Sequence, residues 1–108
     1  MVYKREDLAE YKEYSVSGDG EVFSIKSGVK KKLKPMKKPN GYLYVTLCKN
    51  GKKKNFYIHR LVAIHFVKNK YDKIYVDHID RNKENNYYKN LEWVTHKENM
   101  DRKNGVIS

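Results

Sequence analysis

Val76-Asp77-His78-Ile79-Asp80-Arg81-Asn82-Lys83-Glu84-Asn85-Asn86-Tyr87-Tyr88-Lys89-Asn90-Leu91-Glu92-Trp93-Val94-Thr95-His96-Lys97-Glu98-Asn99 is the stretch whose reading decides the fold. Ile74-Tyr75-Val76 predicts a short strand, Asp77 to Asn90 a long polar loop, and Leu91-Glu92-Trp93-Val94 a second strand, with Trp93 a core anchor beside Leu91. Thr95-His96-Lys97-Glu98 is a capping box, in which the Thr95 hydroxyl takes the Glu98 amide proton and the Glu98 carboxylate reaches back. The helix it opens is expected to run to about Lys103 and to end at Asn104-Gly105. Strand, loop, strand and capped helix follow too closely for a βαβ unit, and the segment is too polar to be a core by itself.

The residue types in this segment suit phosphodiester hydrolysis. That reaction needs an activated water, a charge clamp on the phosphoryl oxygens and help for the leaving 3′ oxygen. A neutral histidine can take the water proton near pH 7. A hard divalent ion can clamp the phosphate through carboxylate and amide oxygen ligands. Asp77, His78, Asn90 and Asn99 supply these types. Asn85 and Asn86 read as loop-shaping residues that bond to nearby backbone.

Upstream, Ile58, Leu61, Val62, His65 and Phe66 recur at helical spacing, which predicts a helix over His59 to Val67. His59 reads as structural or DNA-facing, His65 as packed at the helix edge, and Arg60 as a phosphate clamp or a plain surface residue. Before the helix, Tyr42–Cys48 and Lys53–Ile58 flank Asn50-Gly51, a type I′ hairpin signal. A two-residue loop pairs Lys49 with Lys52, Val45 with Phe56 and Leu43 with Ile58. One face then carries Leu43, Val45, Leu47, Phe56 and Ile58. The other carries Tyr42, Tyr44, Thr46, Lys53, Asn55 and Tyr57, either DNA-contacting or an ordinary solvent face. Further back, Ser15–Ser17, Gly18-Asp19-Gly20 and Glu21–Ile25 read as strand, tight turn, strand. Lys30 to Asn40, with Pro35 and Pro39, reads as a basic connector, and Leu8–Tyr14 as a short helix or extended arm.

Charge points to the partner. The 108 residues hold 24 Lys+Arg against 13 Asp+Glu, a net charge of +11. From Lys30 to Lys54 there are ten lysines and no acid. Such a run suits phosphate contact, because each neutralised phosphate releases counterions. No basic amphipathic helix accompanies it, which weighs against a membrane surface, and no run approaches the length of a membrane span. The opening Met1-Val2-Tyr3-Lys4-Arg5-Glu6 has no apolar signal-peptide core, and Cys48 is the single cysteine, so a reducing cytoplasm is expected. His59, His65 and Cys48 match no standard zinc spacing.

The stretch quoted at the outset strongly resembles the HNH nucleases, above all phage- and intron-encoded HNH homing endonucleases. Asp-His, Asn-Asn, Asn-Leu before a strand, and Thr-x-x-Glu-Asn opening a helix all occur in order. Ile58-His59-Arg60-Leu61-Val62-Ala63 matches the segment preceding the motif in those proteins, and Tyr14 to Ser24 is similar to a small N-terminal module often fused to them. The resemblance spans roughly Glu10 to Asn99. It implies a ββα-metal fold with His78 as general base, Asn90 holding the loop and orienting His78, and Asp77 and Asn99 holding one Mg²⁺ or Mn²⁺ per active site. His96 is the alternative helix ligand.

The sequence therefore predicts an α+β protein. Residues 1–70 would be a β-rich, lysine-rich DNA-binding region with a hairpin and short helix, and 71–108 the HNH motif, in one compact unit. The expected activity is metal-dependent cleavage of double-stranded DNA. Lys30, Lys31, Lys32, Lys37, Lys38, Tyr44, Lys53, Asn55, Tyr57 and Arg60 are the candidate DNA contacts. A monomer would nick and a homodimer could cut both strands. The chain stops soon after Asn99, so a short recognition length, dimerisation or a helper partner is expected. Two rival readings are a non-catalytic DNA-binding regulator on the same scaffold and a ribosomal-type RNA-binding protein.

Overall fold

Asn50 (φ 51°) and Gly51 (φ 77°) both adopt left-handed backbone, as a type I′ turn requires, and the hairpin they close is the centre of the molecule. The computed structural model describes residues 13–26 and 28–103. Three small antiparallel sheets are arranged around one helix. β1 (Tyr14–Val16), β2 (Val22–Lys26) and β3 (Val29–Lys32) form the first sheet in that order. β4 (Met36–Lys37), β5 (Leu43–Lys49) and β6 (Lys52–Tyr57) form the second. After α1 (Ile58–Phe66), β7 (Tyr75–His78) pairs with β8 (Leu91–Val94), and α2 (His96–Lys103) follows. The fold is α+β and mostly strand.

The register of β5 on β6 is the one the two-residue loop dictates: Lys49 opposite Lys52, Val45 opposite Phe56. It ends at Tyr44–Tyr57. The expected Leu43–Ile58 pair does not form, because Ile58 already starts α1. Val45, Leu47 and Phe56 then face Ile58, Leu61, Val62 and Ala63, and Val22, Val76 and Leu91 close the same core. Burying each such Val, Leu, Ile or Phe side chain contributes about 1.5–3 kcal/mol. α1 packs on β1, β5, β6, β7 and β8, so it ties the hairpin to the C-terminal strands.

Two other expectations change. The basic connector from Lys30 to Asn40 contains strand: Val29–Lys32 is β3, and Met36–Lys37 pairs with β5. Gly28 (φ 76°) turns the chain back, and Lys30 lays its ammonium 4.3 Å from the Phe23 ring centroid, so a lysine run can pair although all four β3 residues are exposed. Asp77 and His78, expected at the head of the loop, lie within β7. The Leu8–Tyr14 reading falls mostly, and the Asn104-Gly105 helix end wholly, outside the described residues.

The capping box forms in both directions. Thr95 N–H donates to Glu98 Oε1 (2.9 Å) and Glu98 N–H to Thr95 Oγ1 (3.1 Å). Lys73 Nζ joins the same carboxylate at 2.9 Å. The Thr95 amide and then Lys73 hold the Glu98 carboxyl down to about 2, against an ordinary 4.5. A depressed folded-state pKa adds stability above the ordinary value and loses it as pH falls through the depressed one. Between pH 5 and 2 the urea midpoint of Glu98→Gln should therefore fall less steeply than that of wild type. Parallel curves would deny the carboxylate this role.

Candidate active site

Along β7 the side chains alternate, with Val76 and His78 buried and Tyr75 and Asp77 half-buried on the opposite face. His78 is only 3% exposed. Its Nε2 lies 2.7 Å from Asn86 Oδ1. An amide oxygen can only accept, so Nε2–H is the donor of this pair, and in the neutral ring the lone pair is then on Nδ1. A cluster of rings adjoins the imidazole. His59 lies 5.2 Å from His78 and Tyr42 lies 5.8 Å from it, while Tyr42 and Tyr57 sit 4.9 and 5.3 Å from His59. Burial first, then the neighbouring His78 and Arg60, push the His59 pKa down to about 3, so His59 is neutral throughout the physiological range.

Asp77 and His78 point to opposite faces of β7, yet Tyr42 senses both. Its ring neighbours His78, and burial together with the Asp77 charge raises its hydroxyl pKa. Tyr42 also stacks edge-on with Tyr57 on the open face of the β5–β6 hairpin. The hairpin's polar face is thus continuous with the His78 cluster.

The loop from Ile79 to Tyr87 is folded by its own asparagines. Asn90 Oδ1 accepts from Asp80 N–H (3.0 Å), and Asn90 Nδ2 donates to Asp80 Oδ1 (2.9 Å) and to the Asn85 carbonyl (2.8 Å). Asn85 Nδ2 and Asn82 N–H also donate to the Asp80 carboxylate at 2.8 Å each. These hydrogen bonds, that from Asn85 first, lower the Asp80 pKa. Asn90 therefore holds the loop, whereas the side chain on the His78 ring is Asn86. The sequence pattern assigns Asn86 only a backbone-shaping role and Asp80 none. Asn86 lies close against Gly20, a neighbour distant in sequence that no local signal announces.

On the other face of β7, Tyr75 packs against His96 of α2 at 5.7 Å. Asn99 stands three residues after His96, one helical turn along the same side. Asp77 shares a face of β7 with Tyr75, and Asn99 lies one turn beyond His96 on α2; the two offer a carboxylate and an amide oxygen. That donor set suits a hard divalent ion. His96 is exposed and engaged with Tyr75. Among the described residues no three His, Cys, Asp or Glu side chains are grouped so as to hold a metal ion.

The candidate DNA contacts divide. Lys30, Lys31 and Lys32 are exposed on β3, and Lys53 and Asn55 are exposed on β6. Tyr44 and Tyr57 are half-buried under the Lys38 ammonium, 5.1 and 5.5 Å from their centroids. Lys37 pairs with Glu84 at 3.1 Å, an exposed contact of little worth against water. Arg60 is not the surface residue that helical spacing suggests: it is 6% exposed, because the whole first turn of α1 is buried. His59 is buried by the same packing. His65 is exposed, with Nδ1 2.7 Å from the Leu61 carbonyl. Trp93 anchors through Nε1–H to the Val67 carbonyl (3.1 Å). No helix of the described residues is long and apolar enough to cross a membrane.

Known proteins resemble this chain in sequence and in fold. Residues 56–101 match an HNH endonuclease family model and residues 4–48 the NUMOD4 motif. The chain is 51% identical over 88 residues to DNA endonuclease I-HmuI of Bacillus phage SP01, covering 82% of this chain and 49% of that protein. It is 39% identical over 90 residues to H-N-H endonuclease F-TflII of Escherichia phage T5, covering 82% and 46%. A solved structure of DNA binding and cleavage by the HNH homing endonuclease I-HmuI superposes with TM-score 0.79 at 45% identity, over 93% of this chain and 57% of that one. The chain spans about half the length, or less, of the curated relatives it matches.

Proposed function

The chain belongs to the HNH endonucleases, and from that membership we propose that it is a homing-type, divalent-metal-dependent endonuclease that hydrolyses phosphodiester bonds in double-stranded DNA. The observation that carries this reading is the His78 imidazole, fixed through Nε2 on Asn86 at 2.7 Å, on the strand that also bears Asp77.

His78 is the general base. With Nε2 committed to Asn86, Nδ1 takes a proton from a water molecule as the oxygen attacks phosphorus and the bond to the 3′ oxygen breaks. The departing 3′ oxygen takes a proton from solvent water, and the products are a 5′-phosphate and a 3′-hydroxyl. Asn90 keeps the loop closed over this arrangement through Asp80. Asp77 and Asn99 are the residues that would hold one Mg²⁺ or Mn²⁺, which when bound supplies positive charge to the phosphoryl and leaving oxygens. The division of labour follows the charge: residues 1–70 grip and residues 71–108 cut. Tyr44, Lys53, Asn55 and Tyr57 lie along the DNA on a hairpin face that Tyr42 joins to His78, and Lys30, Lys31 and Lys32 of β3 add exposed positive charge for it. The enzyme works in the cytoplasm of a bacterial or phage-infected cell.

Supercoiled plasmid with Mg²⁺ or Mn²⁺ is the test. Nicked or linear product that disappears with EDTA supports the reading. Plasmid that is bound yet stays intact with every divalent ion supports a DNA-binding regulator instead.

A further inference from the structure

The segment carrying Asn86 and Tyr88 rests on the tight turn between β1 and β2, far away in sequence. Tyr88 N–H donates to the Gly18 carbonyl at 2.8 Å. A Cβ on Gly18 would stand 3.0 Å from Tyr88 Cδ1. A Cβ on Gly20 would stand 2.9 Å from Asn86 Cβ and 3.2 Å from the Asn86 carbonyl oxygen, so the N-terminal turn meets the Asn86 backbone with no room to spare. The turn is itself braced by Ser17 N–H to Glu21 O (2.8 Å), Gly20 N–H to Ser17 O (3.1 Å) and Glu21 N–H to Ser17 Oγ (3.2 Å). Asn86 in turn holds His78 Nε2.

We propose that the turn Ser17–Gly20 of the N-terminal module is a positioning device for the active site, with Gly20 setting the place of Asn86 and thereby the tautomer and direction of the His78 ring. The N-terminal module thus completes the base in addition to any part it has in DNA binding. This rests on the reading of His78 as the base. Gly20 has a second constraint, its φ of +88°, which strains any L side chain. Gly28 separates the two effects: it has φ +76° but nothing within 4 Å of where a methyl would stand, so Gly28→Ala carries similar backbone strain without the contact.

The test reads the His78 ring by ¹⁵N–¹H NMR, alongside plasmid binding and cleavage at saturating enzyme with Mg²⁺. In the folded wild type a slowly exchanging Nε2–H is expected. Gly20→Ala should lose that signal and cleave about 10- to 100-fold more slowly, the range for losing a group that orients a catalytic ligand, with plasmid affinity within about twofold of wild type. Gly28→Ala should keep both signal and rate. Should Gly20→Ala not fold, Gly18→Ala, pressed on Tyr88 without a positive φ, decides by the same loss of signal. A folded Gly20→Ala or, in its place, Gly18→Ala with signal and rate intact overturns the proposal, as does an equal loss in Gly28→Ala. If wild type does not cleave but the ring signal behaves as stated, the nuclease reading fails and the positioning role stands.

Discussion

His78→Ala should cleave plasmid DNA about 10²- to 10⁴-fold more slowly than wild type at saturating enzyme and Mg²⁺, the range spanned by a positioned general base. Plasmid affinity should be unchanged, because His78 is buried and contributes no phosphate contact. The loss should be greater than for Asn86→Ala, which leaves the imidazole in place but frees it to turn and to change tautomer. His78→Ala also leaves Asn86 Oδ1 without its partner, a buried acceptor costing about 1–3 kcal/mol. The variant should therefore melt earlier while remaining folded well below its midpoint, and rates should be compared there. A folded His78→Ala that cuts at the wild-type rate would move the base elsewhere.

Asp77→Asn should lose at least about 100-fold in cleavage at any Mg²⁺ concentration, since the substitution removes the one carboxylate of the pair proposed to hold the ion. DNA affinity without added metal should rise slightly or stay level, because a negative charge near the phosphates has gone. The Tyr42 hydroxyl gives an independent readout. Burial and the Asp77 charge together raise its pKa, so removing the charge should move that pKa down toward the ordinary value, visible in ultraviolet titration of the phenol. Full activity in Asp77→Asn with an unchanged Tyr42 titration would separate Asp77 from the site altogether. A shifted titration with full activity would place it at the site but outside the chemistry.

Local chemistry makes several elements legible in the sequence. Asn50-Gly51 sets both the turn and the Val45–Phe56 register, because a two-residue loop leaves no freedom. Thr95 and Glu98 cap their own helix, and Asn90 bonds to a loop only a few residues away. The lysine strand β3 is hidden from the sequence because pairing is a backbone property, and four exposed residues leave no apolar alternation to read. The burial of His59 and Arg60 is hidden because the first turn of α1 is enclosed on every side, which breaks the one-faced pattern that helical spacing assumes. Asn86 reads as a plain loop residue because its role depends on a glycine in the N-terminal turn, a contact that only the assembled fold creates.

The proposed metal-dependent hydrolysis of DNA by His78, oriented by Asn86, would leave a chemical signature at the cut. Both strands of a plasmid library should be mapped after incubation with wild type and Mg²⁺, and the chemistry of the new ends determined. Discrete breaks bearing 5′-phosphate and 3′-hydroxyl ends are expected, absent with EDTA and absent with His78→Ala. DNA that is retained by the protein but unbroken with Mg²⁺ and Mn²⁺, or breaks that persist in His78→Ala, would contradict this mechanism.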